Sequence, residues 1–297
     1  MLTLQFSLIA TAQTNQCNDA KIKVQVLGSG GPELVTNRAS ASNLVWYNGK
    51  AILLIDTGGG SSLRYSQARA RWSDLKAVLF THFHADHSSE FPTFIKASWF
   101  GNRSKDLPVF GPYSNSFMPS AEQFLDRLFS DNKGAYQYLS DMYDAKEGGS
   151  YRLIAHTITD KTETQVIFTD ELIEISAQKV KHGPIPAFAY IIKLCDKTIV
   201  FSGDTNGKGF ENLKLKKTDI FIAHNAISEQ AGDVAKSLHM TPTQIGEIAK
   251  HINTNNLILT HRMNRALGKE PSTAQAIQKN YKHKVIFAND LNTFEVK

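Results

Sequence analysis

From Lys21 onward the chain alternates short apolar runs with Gly, Asn, Asp and Pro punctuation, the pattern of many buried strands separated by tight turns. Residues 22–27, 44–47 and 51–55 form a hairpin-rich opening, the last two runs joined by Asn48-Gly49, a dipeptide that supplies the positive φ angles of a two-residue hairpin turn. Further strands are predicted at 77–80, 108–110, 165–168, 172–175, 189–194, 198–201, 220–223, 257–259 and 285–287. Helix signals stand at 120–129 and 135–143. Thr241-Pro242-Thr243-Gln244 has capping-box spacing with Pro in the first turn, ahead of Ile245, Ile248 and Ala249, and Ser272 with Gln275 repeats the spacing before Ala276 and Ile277. Strands that open each half, followed by strand-helix-strand returns, predict two facing mixed sheets with helices outside, an α/β fold of the αββα sandwich type in four layers. No repeat of about 20–50 residues marks the chain as a solenoid or propeller.

Composition sharpens this picture only at the margins. The chain has 297 residues, 41% of them hydrophobic, enough for a large core. A net charge of +5 is mildly basic: it suits an anionic small substrate and falls short of a dedicated nucleic-acid binder. No apolar run approaches the roughly 18 residues of a membrane-spanning helix, so no membrane partner is expected. Residues 1–16 carry no charge and place Ala10 and Ala12 behind a short apolar stretch, which reads as a secretory signal without its basic front end, or as a loose N-terminal tail. The first reading places the protein in the periplasm or outside the cell, the second in the cytoplasm. Cys17 and Cys195 are the two cysteines; an exported chain would allow them to pair, and a buried inert Cys195 is the alternative. Residues 17–297 read as one domain, within which 90–181 is a long aromatic-rich segment. Most of its rings are expected in the core, and a minority as a wall lining the substrate site.

The chemistry concentrates at Thr81-His82-Phe83-His84-Ala85-Asp86-His87, directly after the run at 77–80. Three imidazoles and a carboxylate within six positions at the mouth of a strand are a ligand set for divalent metal, with His82 and His84 able to point one way and Asp86 and His87 another. This spacing resembles the signature of the metallo-β-lactamase superfamily. Four further motifs follow that family's order: Ile55-Asp56-Thr57-Gly58, His182-Gly183 with Pro186 to Tyr190 after it, Ser202-Gly203-Asp204-Thr205, and Leu259-Thr260-His261. His224-Asn225-Ala226 and Leu238-His239-Met240-Thr241 resemble the ribonuclease Z branch in particular.

The resemblance implies that His82, His84 and His182 hold one zinc ion, that Asp86, His87 and His261 hold a second, and that Asp204 bridges them. Asp56 would orient the histidine loop from behind. Mn2+ or Fe2+ suits the same ligands. A hydroxide shared by two ions about 3.5–4 Å apart would be the nucleophile, held by Asp86 and assisted by His239, with Arg265 pairing an anionic oxygen of the substrate. A bridging Asp204 leans toward phosphodiesters, thioesters or lactones, since the β-lactamases proper place Cys or Ser there. Two departures matter. Asn225 stands where the branch has a glutamate that works with the histidine matching His239. The span between Tyr190 and Asp204 holds only a hairpin, without the protruding arm that grips transfer RNA, which disfavours tRNA as partner. The expected activity is therefore a dinuclear zinc phosphodiesterase acting on a small anionic ester or phosphodiester. β-Lactamase, lactonase or arylsulfatase activity on the same metals is the alternative within hydrolases, and a metal-binding protein without turnover the alternative of another class. Homodimerisation is known in the resembling family.

Overall fold

The computed structural model describes residues 17, 19–34, 37–144 and 150–297; the predicted signal segment lies outside the described residues. Among the described residues, fourteen strands form two seven-stranded sheets. The first runs β14 (Thr293–Glu295), β1 (Ile22–Gly28), β2 (Ser42–Tyr47), β3 (Lys50–Ile55), β4 (Ala77–Leu79), β5 (Leu107–Gly111) and β6 (Leu153–Thr157). The second runs β13 (Val285–Phe287), β12 (Thr254–Thr260), β11 (Thr218–His224), β10 (Lys197–Phe201), β9 (Ile185–Leu194), β8 (Ile173–His182) and β7 (Gln165–Thr169). Both sheets are mixed in the same way. From β14 to β3, and from β7 to β10, neighbours are antiparallel; from β3 to β6, and from β10 to β13, they are parallel.

The strands read as unbroken apolar runs because both of their faces are covered. On β11, Ile220 and Ile222 enter the core between the sheets while Phe221 and Ala223 meet the outer helices, and β9 divides the same way, Phe188, Tyr190 and Ile192 inward and Ala187, Ala189 and Ile191 outward. Outside the first sheet lie α1 (Ser61–Gln67), α3 (Phe91–Ser98) and α4 (Ala121–Phe129); outside the second lie α6 (Pro242–His251) and α7 (Glu270–Gln278). Two short helices, α2 (Ala85–Ser88) and α5 (Asp233–Leu238), sit next to the histidine-bearing segments. Four layers result, as the sequence pattern implies.

Local expectations fare unevenly. Asn48 and Gly49 both adopt positive φ, 47° and 81°, and turn β2 into β3. Thr241 caps α6 through a complete capping box with Gln244. Ser272 does not cap: α7 already starts at Glu270, and the Ser272 hydroxyl donates back to the Lys269 carbonyl, so Pro271 in the first turn sets this helix start. The span 135–143 forms a 3-10 helix, Gln137–Met142, rather than an α-helix. Cys195, in the β9–β10 turn, is not an inert thiol; it is joined to Cys17 in a disulfide. No helix among the described residues is long and apolar enough to cross a membrane.

One contact ties the two sheets together beside the histidine cluster. The fully buried Tyr190 hydroxyl of β9 donates to the Phe80 carbonyl, just beyond β4, at 2.7 Å. Tyr190→Phe is expected to leave that carbonyl unpaired and to lower the unfolding free energy by about 1–3 kcal/mol, read as a reduced urea midpoint at unchanged slope. An unchanged midpoint would remove this bond from the account.

Candidate metal centre

Every histidine and aspartate of the cluster leaves the same end of the sandwich, where β3, β4, β8, β10, β11 and β12 finish. Open α/β sheets place their ligand sites at the carboxyl ends of parallel strands. Two positions pay for the convergence in backbone strain: Asp56 (φ 59°) and His261 (φ 52°) lie in the left-handed region that non-glycine residues avoid. Close approach also demands glycine. A Cβ on Gly58 would lie 2.1 Å from the Asp86 carbonyl, so this loop can lie against the histidine loop only without a side chain.

Asp56 organises the histidine loop from behind. Its Oδ1 accepts the Thr81 amide at 2.8 Å, and its Oδ2 accepts the Thr81 hydroxyl and lies 2.8 Å from His87 Nδ1. With His87 Nδ1–H given to Asp56, the Nε2 lone pair faces the opposite way, 3.6 Å from Asp86 and 3.7 Å from Asp204. His182 is oriented similarly: Nδ1 donates to the Leu238 carbonyl at 2.9 Å, which frees Nε2 toward His84 at 3.4 Å and Asp204 at 3.7 Å. His82 Nε2 lies 3.0 Å from His84 Nδ1. His261 Nε2 lies 3.1 Å from Asp86 and 3.4 Å from Asp204.

The nitrogens of His82, His84 and His182 therefore converge on one point, and those of His87 and His261 on another, with the Asp204 carboxylate reaching both. The seven residues read as ligands lie together, Asp56 hydrogen-bonds the loop that carries four of them, and all seven but Asp86 and His84 are buried. Converging imidazole nitrogens cannot all satisfy one another, and His87 Nε2 has no hydrogen-bond partner, so the donor set fits divalent cations. The electrostatics agree. Burial opposes ionisation of Asp86 and Asp204, yet His87 and His261 hold both carboxyls well below the usual carboxylate range. Burial likewise opposes charge on His87, but Asp86, Asp56 and Asp204 raise its imidazole to about 10, while burial drives His82 far below its ordinary range. Two ionised carboxylates withdrawn from water, Asp204 fully and Asp86 in part, demand positive charge, as protons on neighbouring imidazoles or as metal.

His239 joins this group, its unpartnered Nδ1 3.7 Å from Asp204, and burial lowers its pKa to about 3. Asn225 does not take over the missing glutamate's work: its amide makes a long 3.4 Å bond to the Ile227 carbonyl and its Oδ1 is unpartnered. Arg265 is exposed and anchored by Nε to the Ala226 carbonyl at 2.9 Å, with its charge close enough to depress His239. Gly31 packs against the His261 ring, so the glycine-rich loop after β1 is part of the rim. The expectations for the aromatic segment divide: Phe91, Phe94, Phe110 and Phe129 are core, whereas Phe117 is exposed on a loop tied by Asn115 to the Pro184 carbonyl, two residues from His182.

One member stands in a motif named above without having been given a role in the cluster. His224, the last residue of β11, is buried, hydrogen-bonds Asp204 Oδ1 through Nδ1 and stacks on His261 at 4.8 Å. Besides that motif, the signal for its place in the cluster was a polar residue closing the apolar run 220–223, the pattern that also delivers Asp204 and His261.

Against this geometry the comparisons decide the family. Residues 52–262 match the model of the beta-lactamase superfamily domain. The chain belongs to that superfamily. It is thus a metal-dependent hydrolase, with a fold and a His/Asp cluster built for divalent metal. Among its relatives is a protein named ribonuclease Z from Methanosarcina mazei, 23% identical over 93% of this chain and 98% of that protein. Among solved structures it resembles the metallo-beta-lactamase fold protein YhfI from Bacillus subtilis, with a TM-score of 0.70, 19% identity and coverage of 93% of this chain and 99% of that one. The short form of human tRNase Z superposes with a TM-score of 0.68, 18% identity and coverage of 93% and 99%.

Asp56→Asn is expected to weaken divalent-ion binding 10- to 100-fold by releasing the His87 ring from its orientation. Zinc titration against a competing chelator measures it; wild-type affinity in the variant would show that Asp56 does not position the ligands.

Proposed function

We propose that the protein is a dinuclear zinc phosphodiesterase of ribonuclease Z type acting on a small anionic substrate. The observation that carries this reading is the two-sided Asp204 carboxylate, with His182 Nε2 at 3.7 Å from one oxygen and His261 Nε2 at 3.4 Å from the other. His82, His84 and His182 would hold one ion, Asp86, His87 and His261 the other, and Asp204 both; Mn2+ or Fe2+ suits the same donors. Ions bound there would supply a water of lowered pKa and neutralise charge on the phosphoryl oxygens.

The remaining steps belong to side chains. Asp86 accepts a hydrogen bond from the attacking water and orients it in line with the phosphorus. His239, unpartnered at Nδ1, hydrogen-bonds an oxygen of the reacting phosphate, without a carboxylate behind it because position 225 is Asn. Arg265 stands at the rim to pair with a second phosphate oxygen. The relatives named ribonuclease Z support phosphodiesters over β-lactams, lactones and sulfate esters. The turn from β9 to β10 is only Cys195-Asp196, which leaves no arm there for gripping tRNA and supports a smaller substrate. Phe117 would line the entrance, with residues 90–181 supplying this wall. The Cys17–Cys195 disulfide supports action in an oxidising compartment, periplasmic or extracellular.

Zinc-loaded protein is expected to hydrolyse bis(p-nitrophenyl) phosphate, with Asp204→Ala reducing kcat/KM at least 1000-fold, about 4 kcal/mol of transition-state stabilisation. Absence of phosphodiester turnover beside cleavage of nitrocefin, a lactone or p-nitrophenyl sulfate would overturn the substrate assignment and retain the metals.

A further inference from the structure

Strand β11 lies between β10, which leads to Asp204, and β12, which leads to His261. Its last residue, His224, stands opposite Thr260 of β12, and the amide that follows it, on Asn225, donates to the Thr260 carbonyl at 2.8 Å. Toward β10, the His224 amide donates to the Ser202 hydroxyl oxygen at 3.0 Å, and that hydroxyl donates onward to the Gly203 carbonyl at 2.7 Å. The backbone at His224 is thus fixed to both neighbouring strands, and its side chain is buried.

That side chain spans the two ligands. Its Nδ1 hydrogen-bonds Asp204 Oδ1, and its ring stacks on His261 with centroids 4.8 Å apart and planes 17° from parallel. An ionised carboxylate only accepts, so the hydrogen belongs to Nδ1. Four further imidazole nitrogens surround the carboxylate at longer range. His261 Nε2 and His87 Nε2 lie 3.4 and 3.7 Å from Oδ1, and His182 Nε2 and His239 Nδ1 each lie 3.7 Å from Oδ2. Contacts of that length do not fix the two torsions of an aspartate side chain; the His224 hydrogen bond does. It occupies one acceptor position of Oδ1, the oxygen that also faces His87 and His261, and leaves the other for an ion on that side.

We infer that His224 is a positioning residue for the second metal site, acting through Asp204: it holds Oδ1 where an ion carried by Asp86, His87 and His261 can share it. The inference rests on the two-site reading given above. Removing a group that orients a metal ligand lowers metal affinity about 10- to 100-fold, and here the loss should fall on one site of the pair.

The test is zinc titration of the full-length protein against a chromophoric chelator. Wild type is expected to take up two ions. In His224→Phe, which keeps a ring beside His261 and removes the donor, one ion should bind within about threefold of wild type and the other at least about tenfold more weakly. His224→Leu, also without a donor, should behave as His224→Phe does, so that a folding failure of either variant leaves the test standing. His224→Asn, whose amide nitrogen can stand where Nδ1 stands, should return the second ion to within about threefold of wild type although the stacked ring is gone. Anomalous diffraction at the zinc edge from the Phe or Leu variant should keep the peak at His82, His84 and His182 and weaken the one at Asp86, His87 and His261. Wild-type binding of both ions in His224→Phe or His224→Leu, equal weakening of both ions, or a second ion as weak in His224→Asn as in His224→Phe would overturn the inference. A wild-type protein that binds a single ion would instead overturn the two-site reading, and the inference with it.

Discussion

Everything at the active end of the molecule depends on two ionised carboxylates, the buried Asp204 and the half-buried Asp86, set among imidazoles of which all but His84 are shut off from water. Such charges persist in a protein interior only beside compensating positive charge. The fold meets this demand by geometry. Six strands from both sheets end on one rim, and each contributes one side chain or the loop that carries it. Asp56, at the far side of the histidine loop, converts that rim into a directed ligand set by taking His87 Nδ1–H and both hydrogens of Thr81. Without that anchor the nitrogens would be present and misaimed.

The shared layout of the two sheets explains why the site is two-sided. Each sheet passes from antiparallel to parallel pairing at its centre, at β3 in one and β10 in the other, and Asp56 and Asp204 follow those two strands directly or within three residues. Asp56 faces the histidine loop of its own sheet, whereas Asp204 stands between ligands from both. The Tyr190 hydroxyl, bonded to the Phe80 carbonyl, and the Phe188 amide, bonded to the Thr81 carbonyl, join the two sheets at this level.

Much of this was legible in the chain because covering both faces of a strand writes a continuous apolar run, and because five of the motifs sit at the ends of such runs. The His82 to His87 cluster is contiguous and needs no fold to be recognised. Features set by tertiary contact were not legible. Edge strand β6 ends in His156 and Thr157 and is only partly buried, so it lacks an apolar signature. Helix α1 buries only Ser61 and Tyr65 and shows no stripe. Ser272 has capping-box spacing, but Pro271 sets the helix start. His224 was visible as a residue and invisible as the partner of Asp204, because the pairing spans two neighbouring strands.

The central claim is that Asp204 divides one ligand cluster into two metal sites. The most direct measurement is anomalous diffraction at the zinc edge from crystals of the zinc-loaded protein. The account requires two peaks about 3.5–4 Å apart, one within bonding distance of His82, His84 and His182, the other of Asp86, His87 and His261, both touching Asp204. A single peak, or a pair that leaves Asp204 unligated, would contradict it.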